Sequence, residues 1–275
     1  MKPFLKTKDF SFTGEEFELI LDSEFNMLKT HPEPKNLEDY YDSESYISHK
    51  DSGRTLIDKL YQYVKRYSLK RKINLINAYC NQNKKLLDIG AGTGSFLEIA
   101  KSNGWETYGV EPNKLARGLA EEKGLQLKEN INFIKEEGFQ VITMWHVLEH
   151  LSNLDAQIDK ICSLLKEDGT LMLAVPNFQS YDAKYYKQYW AAYDVPRHLS
   201  HFSQTAIKRI FAKHGMKVIK VKPMIFDSFY VSLLSEKYRR GKVNFMKAFF
   251  IGLQSNIKAW KTKEYSSLLY ILKND

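Results

Sequence analysis

The sequence predicts an α/β fold, a mostly parallel sheet carrying helices on both faces. From Lys85 onward, short apolar runs alternate with stretches of helical periodicity, the pattern produced when strands are joined by crossover helices. One compact glycine turn, Gly90-Ala91-Gly92-Thr93-Gly94, stands between such a run and such a helix. Strands are expected at Leu86–Ile89, Thr107–Val110, Val141–Met144, Leu171–Ala174, Val218–Val221 and Leu268–Leu272, with a shortened one near Ile131–Ile134. Helices are expected at Gly94–Asn103, Lys114–Lys123, Leu154–Lys166 and Gln204–His214, stopped by Gly104, Gly124, Gly169 and Gly215.

Polar residues at Cys80–Lys84 divide the chain into an N-terminal extension, 1–79, and a main domain, 80–275. In the extension, Leu56, Leu60, Tyr63, Val64, Tyr67, Ile73 and Ile76 recur at helical steps, predicting a helix over Ser52–Tyr79 that needs an apolar surface to lie on. The basic residues Lys65, Arg66, Lys70, Arg71 and Lys72 on it read as a solvated face. Toward the C-terminus, Phe226–Leu234 reads as extended, Phe245–Leu253 as a helix and Ser266–Leu272 as a final strand.

The 275 residues are 43% hydrophobic, enough for one substantial core. No run of eighteen apolar residues occurs and the first residues lack a signal peptide's apolar stretch, so a cytoplasmic protein without a transmembrane segment is expected. Cys80 and Cys162 are too few for a disulfide framework and read as reduced structural thiols. A net charge of +8 is compatible with nucleic acid, anionic lipid or an acidic small molecule. No DNA- or RNA-binding signature accompanies it, and DNA is not an expected partner.

The glycine turn lets backbone approach a ligand, because glycine has no side chain to hold it away. A dinucleotide fingerprint places its third glycine one residue further on to meet a pyrophosphate. The spacing Gly90, Gly92, Gly94 suits a ligand without phosphate there. Glu111, followed by Pro112, falls at the next strand end, where a carboxylate can bond both hydroxyls of a ribose. The competing reading is an ordinary tight turn and a helix-start acid.

With its strand, acid and G-x-G-x-G, together with Val141–Leu151 and Leu164–Leu171, the chain resembles the class I S-adenosylmethionine (SAM)-dependent methyltransferases, in particular a bacterial small-molecule subgroup related to ubiquinone-biosynthesis O-methyltransferases. The resemblance covers most of 80–225 and implies a Rossmann-like seven-stranded sheet whose last strand is antiparallel. It implies SAM as cofactor, S-adenosylhomocysteine as product, and a small-molecule acceptor such as a sugar, a quinone-like compound or a lipid-linked metabolite. By the same resemblance Asp88 lies near the methionyl ammonium, Gly90, Ala91, Gly92 and Gly94 line the methionyl moiety, Glu111 and Pro112 face the ribose, and Trp145 and His146 sit near the cofactor. The acidic adenine contact has no clear match; Glu129 or Asn130 are candidates. Residues 7–34 resemble a zinc-ribbon-like region without its cysteines, Thr7, Asp22 and Phe25 standing at those positions, and Tyr40–His49 reads as a lid or a packed tyrosine cluster. Methylation of RNA or protein on the same fold, a SAM-binding protein without activity, and an NAD-dependent oxidoreductase are the alternatives.

His146, Glu149 and His150 spell H-x-x-E-H, the order of an inverted zinc-protease motif, but directly after a buried strand rather than within a long helix. A related E-x-x-E-H version in the resembled family suggests a cation; His146 in place of its first glutamate weakens hard Mg²⁺, and no metal is expected. A hydroxyl or amine acceptor must lose a proton, a task for a neutral imidazole. His150 is the first candidate base and His198 the second, with His146 beside them in the catalytic set. The block Trp190–Ser203 follows a strand end and should overhang the site, with Tyr193, Arg197, His198 and His201 as substrate contacts. Alternatively, Arg197 pairs with Asp194 and His201 caps the helix beginning near Ser203. Tyr181, Tyr185, Tyr186, Tyr189 and Trp190 either line the acceptor pocket or cover the sheet.

Overall fold

The structure, a computed structural model, describes residues 3–40, 56–80 and 84–275, with the side chains of 38 and 56–65 excepted. Most of the Tyr40–His49 segment lies outside them. Three antiparallel strands come first: β1 (Leu5–Lys8), β2 (Glu16–Asp22) and β3 (Met27–His31). Phe17 and Leu19 on β2 point to the buried side and alternate with polar neighbours, the period of a half-buried strand. At the β2–β3 turn the Asp22 carboxylate accepts the Glu24 and Phe25 amides, so a side chain holds this turn closed. Helix α1 (Leu56–Asn77) then leads into the main sheet.

Next come β4 (Lys85–Ile89), α2 (Ser95–Ser102), β5 (Glu106–Val110), α3 (Lys114–Glu121), β6 (Phe139–Trp145), α4 (Leu154–Leu164) and β7 (Leu165–Pro176). They are followed by α5 (Tyr181–Tyr186), β8 (Ser200–His201), α6 (Gln204–Lys213), β9 (Met216–Pro223), α7 (Asp227–Arg240), α8 (Phe245–Thr262) and β10 (Ser267–Asn274). The main sheet runs β5-β4-β6-β7-β10-β9. Its first four strands are parallel, and β10 is antiparallel to both β7 and β9. Helices α1 to α3 cover one face around Ile76, Leu97 and Ala120, and α4 and α6 cover the other around Ile161 and Phe211. The chain leaves β4 toward β5 on one side and returns to β6 on the other, so the strand ends of β4 and β6 flank the crevice where open sheets bind ligands.

Two sequence expectations are corrected. Ile131–Ile134 is no strand: Asn130 caps a single turn at Ile131–Phe133, and the sheet edge there shrinks to one parallel bridge, Val110 to Lys128. The sheet therefore has six strands among the described residues where seven were expected. Ile131 and Ile134 are both buried at a spacing of three, which a turn satisfies and an alternating strand does not. Phe226–Leu234 is likewise not extended but falls largely within α7, whose buried positions are Ser228, Val231, Ser232, Ser235 and Glu236. These recur with helical period but are mostly small and polar, so hydrophobicity alone misses them.

The β1–β3 strands share a four-stranded sheet, β1-β2-β3-β8, with residues from the far end of the sequence. A separate core joins Leu19 and Leu28 to Trp190, Tyr193, Val231 and Ile251. Trp190 and Tyr186 are nearly fully buried, which settles them as packing residues. Beneath them, the Asp182 carboxyl accepts hydrogen bonds from Trp190 Nε1 at 2.7 Å and from the hydroxyls of Ser255 and Ser266 at 2.6 Å each. Burial pushes the Cys162 thiol up to about 11. Asp182→Ala strands three buried donors at once and should cost about 3 kcal/mol, read as a lower urea midpoint at unchanged slope.

Candidate functional site

The site begins where β4 ends. Gly90, Gly92 and Gly94 all take positive φ, 74°, 54° and 73°. At Gly90 a side chain would collide with Val147, which follows the β6 end, so the glycine lets the two loops touch. At Gly92 a Cβ would meet nothing within 4 Å, leaving backbone open to the crevice. The Gly92 amide donates to Glu111 Oε2 at 2.8 Å, and the Asn113 amide donates to Oε1 at 2.9 Å. Glu111 is 2% exposed, and burial pushes its carboxyl up despite these bonds. A carboxylate has about four acceptor positions, so two remain for the hydroxyls of a ligand. Asp88, also buried, accepts from Thr143 Oγ1 at 2.6 Å and is raised to about 7 by burial.

Sequence reasoning missed Lys72. Its ammonium stands 4.1 Å from the Trp145 ring centroid, and burial lowers it to about 8 against the pull of Asp88 and Asp227. Arg66, Lys70 and Arg71 are exposed as expected, whereas Lys72 turns inward. The signal was present: Lys72 lies three residues after Leu69 and four before Ile76, on the apolar stripe of α1. Lys72, Trp145, Met224, Phe226 and Asp227 line a cleft of about 410 Å³ between α1 and the β9–α7 turn.

His146 adopts φ 59°, an uncommon conformation outside glycine that turns its ring between two carboxylates. Nε2 lies 3.1 Å from Asp227 Oδ2 and Nδ1 3.3 Å from Glu149 Oε1. Although burial opposes it, these two partners raise the imidazole to about 10. His146 is therefore protonated at neutral pH and cannot accept a proton there, which removes it from the set of bases; it ties the end of β6 to α7.

His150 and His198 meet edge to face with centroids 4.5 Å apart. His150 Nδ1 donates to the Arg197 carbonyl at 3.0 Å and His198 Nδ1 to the Ala192 carbonyl at 2.9 Å. Each carbonyl assigns the proton to Nδ1 and the basic electron pair to Nε2. Burial, followed by neighbouring His198, lowers His150 to about 4, so it is neutral at pH 7. Glu149, 1% exposed, lies beside both rings; burial opposes its charge, but His146 holds it ionised, near 2. One ligand atom each from Glu149, His150 and His198 falls within 4.8 Å of the others. That spacing admits a divalent cation, for which two imidazoles favour a late transition ion over Mg²⁺.

The remaining block residues are structural. Arg197, expected to contact substrate, is 7% exposed. Its Nη2 lies 2.7 Å from both Asp9 Oδ1 and Asp194 Oδ1, it also bonds Ser11, and Nη1 donates to the Tyr40 carbonyl at 2.9 Å. The guanidinium is directed at the protein itself, toward the first residues of the chain. His201 Nε2 donates at 3.0 Å to Thr30 Oγ1, which itself donates to the His198 carbonyl at 2.6 Å. His201 does not cap α6; Ser203 does, accepting the Ala206 amide. Tyr193 is 3% exposed, its ring packed on Trp190 and His201. Of the four expected substrate contacts, His198 alone packs against His150. Glu129 is held by Arg117 at 3.1 Å, and Asn130 is used as a cap.

This arrangement, a glycine loop and a buried strand-end acid at the switch point of a mostly parallel sheet, is that of a methyl-transferring α/β domain. Residues 61–221 match the methyltransferase-domain family, and the chain belongs to it. It is 33% identical over 108 residues to the ubiquinone biosynthesis O-methyltransferase of Actinobacillus pleuropneumoniae serotype 5b, covering 34% of this chain and 46% of that protein. It is 23% identical over 145 residues to C-methyltransferase NovU of Streptomyces niveus, covering 50% of this chain and 33% of that one. The matched part thus spans less than half of these curated relatives. The fold resembles magnesium protoporphyrin IX methyltransferase of Synechocystis with bound SAM, at TM-score 0.54 and 13% identity over 86% of this chain and 94% of that one.

The Arg197 cluster carries a pH signature. Despite burial, the Arg197 guanidinium and backbone amides hold Asp9 well below the usual carboxylate range. A depressed folded-state value stabilises above the unfolded value of about 3.9 and loses that contribution as pH falls through the folded one. Chemical denaturation against pH should therefore show stability falling below about pH 4, with Asp9→Asn flattening that slope. At neutral pH Asp9→Asn should already be less stable by about 3 kcal/mol, because Arg197 loses a buried counter-charge.

Proposed function

We propose that the protein is a SAM-dependent methyltransferase acting on a small-molecule acceptor, with a hydroxyl as the favoured acceptor group. The observation that carries the donor is Glu111, a buried carboxylate that bridges to the glycine loop and keeps acceptor positions for a ribose. The donor-side residues fit SAM. Gly92 leaves open backbone, Glu111 can take the ribose hydroxyls, Asp88 can face the methionyl ammonium, and the Trp145 ring can cover the sulfonium end. When bound, SAM supplies a methyl carbon already activated by its sulfonium, so alignment does much of the remaining work.

The acceptor side rests on the histidine pair. His150 and His198, each with its proton on Nδ1, offer Nε2 to a hydroxyl hydrogen. His150 remains neutral until well below pH 7, so it stands ready to accept. Burial alone makes the resulting imidazolium costly, and the ionised Glu149 beside both rings offsets that cost. A hydroxyl acceptor is the reading this pair supports, since methylating it requires removal of its proton.

Glu111→Gln, which keeps an acceptor for the glycine loop, should weaken SAM affinity by about a hundredfold by calorimetry, about 2.7 kcal/mol. Calorimetry with NAD is the control; tight NAD binding without SAM binding would overturn the reading. A mass-spectrometric screen for metabolites gaining one methyl group identifies the acceptor. With that acceptor, His150→Ala and His198→Ala together should lower kcat by about 10²–10⁴-fold while SAM still binds; unaltered turnover rules out their role as bases. A base must be neutral to act, so activity should persist as pH falls until it approaches the His150 value near 4, not the usual imidazole range. Prior dialysis against a chelator should leave turnover intact; its loss, restored by Zn²⁺, would assign Glu149, His150 and His198 to an ion instead.

A further inference from the structure

Helix α8 is packed in the reverse of an ordinary surface helix. The residues it buries are mostly small: Ala248, Gly252, Ser255 and Ala259, with Ile251. At Gly252 an added Cβ would come within 3.0 Å of the Phe229 backbone, so the small face exists to bring α7 close. The large apolar side chains face solvent: Phe245 is 62% exposed, Met246 68%, Phe249 52%, Phe250 57%, Ile257 52% and Trp260 69%. At 3.6 residues per turn they fall, with Leu253 among them, in one arc of about 140°, interrupted only by Asn256 beside its Phe245 edge. Phe229 of α7 stacks on Phe249 at 5.4 Å and the neighbouring Tyr230 is 58% exposed, carrying the surface across to α7.

Charge decides what such a surface suits. Lys247, Lys258 and Lys261 follow the arc along one border, between it and the buried face. From 237 to 263 the chain has eight Lys and Arg and no Asp or Glu. A second copy meeting this face antiparallel, through a two-fold axis perpendicular to α8, would bring those borders toward one another, like charge against like. A surface of anionic headgroups over acyl chains instead answers both features, taking up the aromatic arc and neutralising the lysines, whose stems can extend toward phosphate. No described helix is long and apolar enough to cross a membrane, so α8 would lie in the interface plane.

We propose that the α7–α8 hairpin docks the protein on anionic lipid, with α8 lying flat and its aromatic arc inserted between headgroups. Ile225 and Phe226 are 38% and 45% exposed and also line the cleft beside Lys72 and Trp145. The inference does not depend on the methyl-transfer reading, since it is tested without turnover.

The test is flotation of the full chain with phosphatidylcholine vesicles and with phosphatidylcholine vesicles containing phosphatidylglycerol. The wild type should float with the anionic vesicles at least about tenfold more than with the neutral ones. Met246→Ser, Ile257→Ser and Trp260→Ser combined should abolish most of that binding while leaving the thermal transition in place, since each of those side chains is more than half exposed. Lys247→Glu, Lys258→Glu and Lys261→Glu combined should remove the preference for anionic lipid. Wild-type protein that floats with neither vesicle overturns the proposal, as does a serine triple variant that floats like wild type. Also overturning is a wild-type dimer by light scattering that the serine variant dissolves without vesicle binding, because the arc then serves a second copy.

Discussion

The guanidinium of Arg197, enclosed by Asp9 and Asp194, is the contact on which the placement of the histidine pair depends. Its side chain reaches the N-terminal strands, and its own carbonyl fixes the His150 ring. One residue later, the His198 carbonyl accepts from Thr30 of β3, which also anchors His201. The extension and the histidine pair are thus joined through consecutive residues of one loop. Burying such a cluster is costly, and its value is chiefly geometric: removing either charge leaves the other unpaired in a dry site. The β1–β3 strands therefore act on the site by holding the loop that orients it.

Around this anchor the charges are divided by environment. His146, between Glu149 and Asp227, is held as a cation, while His150, bonded to a carbonyl, is held neutral. Two histidines four residues apart in sequence have opposite protonation at neutral pH because their partners differ. The same principle acts on the donor side, where burial raises Asp88 to about 7 and Lys72 is lowered to about 8 beside it. The buried groups are linked across elements, so the cleft, the glycine loop and the histidines behave as one electrostatic unit.

Much of the fold was legible in the sequence because its causes are local. The strand at Leu86–Ile89, the turn at Gly90–Gly94 and the helix after it follow from hydrophobic runs and glycines that need positive φ. Glu111 was legible for the same reason, as a carboxylate at a strand end. The misreadings have equally specific causes. In α7 the buried face is built from serines, so the apolar period points outward; near Ile131 a capped turn buries the same isoleucines a strand would have alternated. Lys72 was read with its basic neighbours on α1 although its position belongs to the opposite, apolar stripe.

Local segments of the chain already specify the class of sheet, the glycine loop at the end of β4 and the buried acid at the end of β5. These are properties of short segments, governed by periodicity, glycine conformation and the placement of acids at strand ends. Only the tertiary structure decided which residues do what. Arg197, His201 and Tyr193 were plausible contacts for a ligand until Asp9, Thr30 and Trp190, distant in sequence or buried beneath them, were found to occupy them. His146 was a candidate for the catalytic set until Asp227, eighty-one residues away, came within 3.1 Å of its ring. Protonation, burial and partner choice arise from long-range packing, which no local pattern in the chain encodes.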